Sequence, residues 1–210
     1  MHRAADDHTK KDRTLPEAII RLPDWVEGAL QKAPDVFPGV EDRMRFVVSL
    51  ARQNIRHQTG GPFGAAVFDD AGRLIAPGVN LVVSLNCSLL HAEVVALALA
   101  QKVLGRYDLS DGGKLQYELV TAVEPCAMCF GAVPWSGVQR LVCGARDEDA
   151  RAIGFDEGPK MADWVKALNE RGITVVRDLL RGEARAVLQE YLAAGGAIYN
   201  SGGQGRSLAP

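Results

Sequence analysis

The sequence predicts an α/β protein, a three-layer α/β/α sandwich in which helices cover both faces of a mixed sheet of about five strands. Stretches with strand character alternate along the chain with stretches of helical apolar spacing, which is typical of this layer arrangement. The turn Asp69-Asp70-Ala71-Gly72 separates two short apolar runs and predicts a hairpin. Because a hairpin pairs antiparallel strands, the sheet is expected to be mixed rather than purely parallel.

The first half of the chain begins with a polar tail. Residues 1 to about 14 carry few apolar side chains, and residues 15–38 hold apolar residues among four prolines, which indicates a short helix and loops. The apolar residues that follow recur at helical spacing until Gly60-Gly61-Pro62 interrupts them. This pattern predicts a helix over 40–57, strands over 64–68 and 74–83, and an alanine-rich helix over 92–104.

The second half continues the alternation of strands and helices. Short apolar runs rich in β-branched residues predict the strands, and longer runs with helical spacing predict the helices. The predicted elements are strands over 115–123, 139–143 and 173–176 and helices over 126–135, 159–171 and 183–194. The glycine-rich end, residues 195–210, is predicted to be mostly loop.

Charge, hydropathy and cysteine content disfavour several classes of protein. The formal net charge is -2, whereas a protein that holds long nucleic acid usually needs a basic surface. No apolar run reaches the length of a membrane span, and the polar start of the chain does not resemble a secretory signal. We therefore expect a cytoplasmic protein whose cysteines are reduced, so that metal or redox chemistry is favoured over disulfides. The four cysteines are Cys87, Cys126, Cys129 and Cys143.

Two short segments, His91-Ala92-Glu93 and Cys126-Ala127-Met128-Cys129, each begin a predicted helix. Zinc accepts imidazole nitrogen and thiolate sulfur in a tetrahedral arrangement, so His91, Cys126 and Cys129 are predicted to bind one zinc ion. Three protein ligands leave the fourth position for water, which zinc makes acidic near neutral pH. Glu93 would lie beside the metal without binding it and act as the general acid and base.

The same residues allow other interpretations. A Cys-x-x-Cys pair alone occurs in redox proteins, but these do not need a His-x-Glu partner. A structural zinc would need a fourth ligand from Cys87 or Cys143, although both are expected to be buried apolar residues in or near strands. A non-catalytic zinc-binding interaction module is disfavoured, because a structural site has no use for an acid such as Glu93 beside an open metal position.

The pairing of His-x-Glu with Pro-Cys-x-x-Cys is the signature of the zinc deaminases. From about Arg45 to Val176 the chain resembles the cytidine/deoxycytidylate deaminase superfamily. The resemblance implies a cytidine deaminase-like fold, one zinc ion per chain and hydrolysis of an exocyclic amino group from a small ring. It also divides the chain into an N-terminal tail and extension over 1–40, a zinc-dependent deaminase domain over 41–180, and a C-terminal helix with a pocket-closing tail over 181–210.

Within the superfamily, the chain is similar to the bacterial guanine deaminases. The resemblance implies that Phe63 lines the base pocket, that Asn80 and the main chain at Ala92 hydrogen-bond the base, and that Trp135 packs against the purine. It also implies a second acid near the site, for which Glu157 is favoured and Asp156 competes. The C-terminal segment, including Tyr199, would close the pocket.

The expected reaction is the deamination of free guanine to xanthine and ammonia, with guanine-like aminotriazines as side substrates because they share the donor pattern of guanine. The alternative enzyme is a nucleoside or tRNA deaminase of the adenosine or cytosine type, which the net charge disfavours. The expected partners are the small nucleobase and a second copy of the chain. The resemblance implies a homodimer, in which some relatives exchange their C-terminal segments.

Overall fold

Helices and strands alternate along the part of the chain that the computed structural model describes, residues 17–200. The helices there are α1 (Trp25–Lys32), α2 (Val40–Arg56), α3 (Ala92–Leu104), α4 (Ala127–Ser136), α5 (Asp147–Ala152), α6 (Trp164–Asn169) and α7 (Arg181–Ala193). The strands are β1 (Gly64–Asp69), β2 (Leu74–Val79), β3 (Tyr117–Val123), β4 (Arg140–Ala145) and β5 (Thr174–Val176). None of these helices combines the length and apolar character needed to span a membrane.

The five strands form one mixed sheet in the order β2-β1-β3-β4-β5. β1 pairs antiparallel with both β2 and β3, whereas β3, β4 and β5 run parallel to one another. The hairpin turn between β1 and β2 closes with a bond from the Gly72 amide to the Asp69 carbonyl. Gly72 has a φ of 81°, a conformation that glycine adopts without strain. The predicted hairpin and mixed five-stranded sheet are confirmed.

Helices cover both faces of the sheet, which makes the three predicted layers. Val120 of β3 and Val142 of β4 face a core shared with α2 and α7. The preceding residues in these strands, Leu119 and Leu141, face a second core shared with α3, α4 and α6. Successive side chains of a strand point to opposite faces, so β3 and β4 are apolar at almost every position. The predicted fold class is confirmed.

The segment after β2 differs from the prediction. The apolar run up to residue 83 predicts a continuous strand, but β2 ends at Val79 and the chain enters a series of turns up to residue 91. The Asn80 amide donates to the Phe63 carbonyl, and the Leu81 amide donates to the carbonyl of Leu90. These bonds turn the chain back toward the start of α3, so the end of the apolar run forms loop instead of strand.

The helices between β4 and β5 also differ from the prediction. The predicted helix over 159–171 is present only as the six-residue α6, and the six-residue α5 was not predicted. Helices this short contain too few turns to give a clear apolar period. α5 begins where the Arg146 amide donates to the Asp149 carboxylate, a local bond that apolar spacing does not reveal. The segment between α5 and α6 is therefore an extended loop.

Candidate metal and active site

Two helix starts bring the His-x-Glu and Cys-x-x-Cys segments together. α3 starts at Ala92, directly after His91, and α4 starts at Ala127, directly after Cys126. α3 packs closely on β2 at Gly78, where a Cβ atom would collide with backbone of α3. Both helices lie on the same face of the sheet. The packing of the two helices therefore places residues 35 positions apart in the sequence beside each other.

The nitrogen and sulfur atoms of His91, Cys126 and Cys129 all lie within 4.8 Å of one another. The Cys126 Sγ atom is 3.5 Å from the His91 Nδ1 atom. One imidazole and two thiols are a donor set that suits zinc, and the separation allows one ion to contact all three. Among residues 17–200, Cys143 is buried in β4 and Cys87 lies in the loop after β2, and neither belongs to this group. The described cysteines thus supply no fourth ligand.

Burial and hydrogen bonding shift the pKa values of the groups around the metal donors. A hydrogen bond from Cys129 holds the pKa of Cys126 at about 4, which favours the thiolate. Burial raises the pKa of Glu93 to about 7, and the charge of Cys126 acts in the same direction. Burial likewise raises the pKa of Glu157 to about 8. A cation held by the three donors would favour the ionised form of both carboxyl groups.

A cavity of about 260 Å³ opens beside the metal donors. Residues from the segment before β1, the loop after β2, the two helix starts, the loop after α5 and the C-terminal segment line it. They are Phe63, Val82, Ser88, His91, Glu93, Glu124, Cys126, Met128, Phe155, Asp156, Glu157, Tyr199 and Asn200. A concave site whose surface is mostly apolar, with a few converging polar groups, is typical of small-molecule binding.

The structure brings some of the predicted substrate-binding residues to this cavity and not others. Phe63 lines it, and its ring packs edge-on against Phe155 at 4.9 Å. Ala92 is fully buried between His91 and Glu93. Asn80 is buried, and its Oδ1 atom accepts weak bonds from the amides of two neighbouring loop residues. Neither Ala92 nor Asn80 contributes to the cavity wall.

Trp135 does not line the cavity of its own chain, and its packing against a bound purine stays a prediction. Trp135 lies near the end of α4, and 83% of its surface is exposed. The Cys-x-x-Cys segment occupies the first turn of this helix and therefore faces the cavity, whereas Trp135 is two turns further along. Met128, inside the Cys-x-x-Cys segment, lines the cavity instead.

The two acids of the loop after α5 have different environments. Glu157 is 5% exposed and lines the cavity. The side chain of Asp156 is 60% exposed and also reaches the rim, where its Oδ1 atom accepts a bond from the Gly158 amide. The backbone carbonyl of Glu157 accepts a bond of 2.9 Å from the Ala127 amide at the start of α4. The loop thus turns Glu157 inward and leaves Asp156 at the surface.

The C-terminal segment lies over the cavity of its own chain. Tyr199 packs edge-on against Phe155 at 5.1 Å, and its hydroxyl is the one buried side-chain polar atom within residues 17–200 that has no hydrogen-bond partner. The amide side chain of Asn200 accepts from the Asp156 amide and donates to the Gly154 carbonyl. The segment therefore forms part of the cavity wall.

Sequence reasoning missed several lining residues. Met128 lies inside the Cys-x-x-Cys segment and Phe155 lies close to Glu157. Their apolar side chains, however, look the same in sequence as those of core residues. Glu124 directly precedes the Pro-Cys-x-x-Cys segment, and this position next to a metal ligand is a signal that could have identified it. Val82 and Ser88 reach the cavity only because the chain turns after β2, which the strand prediction concealed.

Comparison with known proteins supports the same interpretation of the site. Residues 40–145 match the family described as "Cytidine and deoxycytidylate deaminase zinc-binding region". Guanine deaminase of Bacillus subtilis (strain 168) is 38% identical to this chain over 133 residues, which cover 63% of this chain and 81% of that protein. A tRNA-specific adenosine deaminase of Haemophilus influenzae is 40% identical over 115 residues, which cover 54% of this chain and 62% of that protein.

Solved structures are also similar. Guanine deaminase from Nitrosomonas europaea is 52% identical, with a TM-score of 0.79, and the match covers 84% of this chain and 97% of that chain. Further structures show the protein NE0047 in complex with 2,6-diaminopurine, and its asparagine and glutamate variants in complex with 8-azaguanine. The family match includes the three metal donors and Glu93. The chain therefore belongs to the cytidine and deoxycytidylate deaminase zinc-binding family.

Proposed function

We propose that this protein is a zinc-dependent hydrolase that deaminates free guanine to xanthine and ammonia. The observation that carries the proposal is the placement of three metal donors and two buried carboxyl groups, Glu93 and Glu157, around one cavity. Pairs of titratable groups in a cavity with perturbed pKa values are typical of active sites. Aminotriazines that share the donor pattern of guanine are proposed as side substrates.

His91, Cys126 and Cys129 would hold the zinc ion. When bound, zinc supplies Lewis acidity that lowers the pKa of water toward neutrality. Glu93 accepts a proton from the attacking water and delivers it to a ring nitrogen of the base. It then takes the second proton of that water, now a hydroxyl group on the ring carbon, and delivers it to the amino group, which leaves as ammonia. The exocyclic C–N bond of guanine breaks and a C–O bond to the water oxygen replaces it, which gives xanthine.

Glu157 would recognise the edge of guanine that carries the leaving amino group. This edge presents the amino group and a ring N–H as donors, and a carboxylate accepts both. The donors of a bound base and the nearby cation both favour the ionised form of Glu157 over the protonated form that burial favours. Glu157 could also relay a second proton during the reaction.

Asn80 and Phe63 would orient the ring. The Asn80 side chain accepts bonds through its Oδ1 atom, and its Nδ2 group would donate to a base if the loop after β2 adjusts. Phe63 supplies apolar ring surface. In NE0047, the asparagine and glutamate changed in the 8-azaguanine complexes are separated by the same number of residues as Asn80 and Glu157 are here. This equal spacing supports both assignments.

We expect the Cys126→Ala variant to lose most of its zinc, because the two ligands that remain, His91 and Cys129, hold the ion far less tightly than three ligands do. The parent should contain about one zinc per chain. Elemental analysis of the purified proteins measures both values. The Cys143→Ala variant is the matched control, since this thiol is buried in β4 outside the donor group, and it should keep its zinc. Full zinc in the Cys126 variant would refute the ligand assignment.

We expect ammonia release from guanine and little from adenine, cytosine, nucleosides or tRNA. The C-terminal segment covers the cavity, so a base with an attached ribose or polynucleotide has less room than a free base. The measurement is ammonia release with each compound, together with a gel shift with tRNA at several salt concentrations. Salt-sensitive tRNA binding accompanied by inosine formation would contradict the choice of guanine and favour the tRNA alternative.

We also propose that the protein is a homodimer in the cytoplasm. The exposed indole of Trp135 on α4 is the kind of side chain that subunit interfaces bury. The described cysteines are all free thiols, which suits a reducing compartment. The exchange of C-terminal segments between subunits stays a prediction, because the segment described here covers its own cavity. Analytical ultracentrifugation of the parent and of Trp135→Ala tests the dimer, and a monomeric parent would contradict it.

A further inference from the structure

Lys160 is a buried cation that the proposed chemistry does not use. Its side chain is 5% exposed, and its Nζ atom donates to the Pro125 carbonyl at 3.1 Å. The same atom lies 3.4 Å from an Asp147 carboxylate oxygen and 3.6 Å from a carboxylate oxygen of Glu124. A buried ammonium group persists only when such partners replace its hydration. The ammonium group of Lys160 is therefore held by specific partners inside the protein and is not a surface charge.

The contacts of Lys160 join two parts of the active site. Lys160 follows Glu157 by three residues in the loop between α5 and α6, and Pro125 directly precedes the metal donor Cys126. A second bond, from the Ala127 amide to the Glu157 carbonyl, joins the same two segments at 2.9 Å. The loop is thus attached to the start of α4 at two positions, Glu157 and Lys160. Two attachments restrict its rotation in a way that a single hydrogen bond would not.

We propose that Lys160 is a positioning residue, which sets the place of the Glu157 carboxylate relative to the metal donors by tying the loop to Pro125 and Glu124. The inference rests on the proposed role of Glu157. The carboxylate must stay available to a ligand in the cavity, so its position has to be set through its own backbone and its neighbours. Small displacements matter because catalytic efficiency depends steeply on the placement of reacting groups.

A different role for Lys160 would be only to neutralise the charge of Glu124. Arg177 provides a control that distinguishes this role from positioning. The Arg177 Nε atom lies 2.6 Å from Glu124, so Arg177 also balances this buried carboxylate. Arg177 belongs to the segment after β5. Its bond to Glu124 therefore does not join the loop that carries Glu157 to the start of α4, whereas the bond from Lys160 to Pro125 does. If Lys160 only neutralised Glu124, its loss and the loss of Arg177 would have the same consequences.

The test is a double-mutant cycle on kcat with Lys160→Met, Glu157→Gln and the combined variant, measured well below the melting temperatures. We expect Lys160→Met to lower kcat by roughly 10²-fold, with a smaller change in KM and unchanged zinc content. The combined variant should be no slower than Glu157→Gln alone, because the residue that Lys160 positions is already disabled. Arg177→Met should lower the melting temperature and keep most of the parent's kcat.

The proposal is overturned if the two losses multiply in the combined variant, if Arg177→Met loses as much kcat as Lys160→Met, or if Lys160→Met keeps the parent's kcat. If Lys160→Met does not fold, Lys160→Gln, which retains amide donors for the Pro125 carbonyl but no charge, takes its place in the cycle. The cycle uses whichever base the parent deaminates fastest. A parent that is inactive on guanine but active on another base therefore contradicts the proposed substrate without affecting the test of Lys160.

Discussion

The Glu93→Gln variant is expected to lose turnover while it keeps its zinc and its fold. A glutamine has the shape of the acid but cannot accept and return the proton that moves from water to the base. A general acid–base residue typically contributes about 10²–10⁴-fold, and a residue that carries several protons in one reaction contributes more. Zinc should remain because Glu93 is not one of the three donors. Steady-state ammonia release and elemental analysis on the same preparation measure both properties.

Glu183→Gln is the matched control for this variant. Both glutamates lie in the first turn of a 13-residue helix, Glu93 in α3 and Glu183 in α7, but Glu183 is exposed and distant from the metal donors. The control should keep the parent's activity and zinc. Near-normal turnover by the Glu93 variant would rule out the proposed mechanism. Loss of zinc together with activity would instead show that Glu93 supports the metal donors.

The second large effect is expected from Glu157→Gln with guanine as the substrate. The glutamine presents one acceptor and one donor where the substrate needs two acceptors, so one substrate donor loses its partner. A hydrogen bond to a charged group contributes about 1.5–3 kcal/mol, which corresponds to a loss of about ten- to 150-fold in kcat/KM. Zinc content and melting temperature should barely change. Steady-state kinetics with guanine measures the loss, and a larger loss in kcat would indicate a proton relay.

The Asp156→Asn variant tests which of the two acids of this loop is needed for activity on guanine. Asp156 is mostly exposed and bonds to the Gly158 amide, so its loss should affect the loop locally and leave most of the activity. If Asp156→Asn were the inactive variant, the assignment of the second acid would have to move by one residue. If both variants kept full activity, the loop would be a scaffold and guanine recognition would have to come from other residues.

Much of the metal site could be predicted from the sequence because it depends on the chemistry of neighbouring residues. His91, Cys126 and Cys129 are side chains with few common uses together, and each precedes or lies within the first turn of a helix that apolar spacing predicts. The hairpin, the long helices and the buried strands also follow from short-range patterns, since turn residues and apolar periods are properties of neighbouring residues. The mixed sheet was therefore predictable from elements that are each several residues long.

The features that were missed depend on contacts between distant segments. Trp135 and Met128 lie about two turns apart on the same helix, and only the fold decides that the cavity lies at the first turn of α4, beside Met128, and does not extend to Trp135. The end of β2 at Val79 depends on bonds to residues on both sides of the loop that follows. Apolar side chains look alike in sequence whether they fill a core or line a cavity, so their position requires the fold.

The metal donors, the acid beside them and the fold class could be predicted from the sequence alone, because these depend on residue chemistry and on short periods along the chain. The tertiary structure shows that Glu157 is buried beside α4 and that Asp156 is exposed, a difference that the sequence of two adjacent acids does not contain. It alone placed Lys160 against Pro125 and brought Tyr199 over the cavity. The physical reason is that burial and charge pairing arise from contacts across the fold, which no local pattern contains.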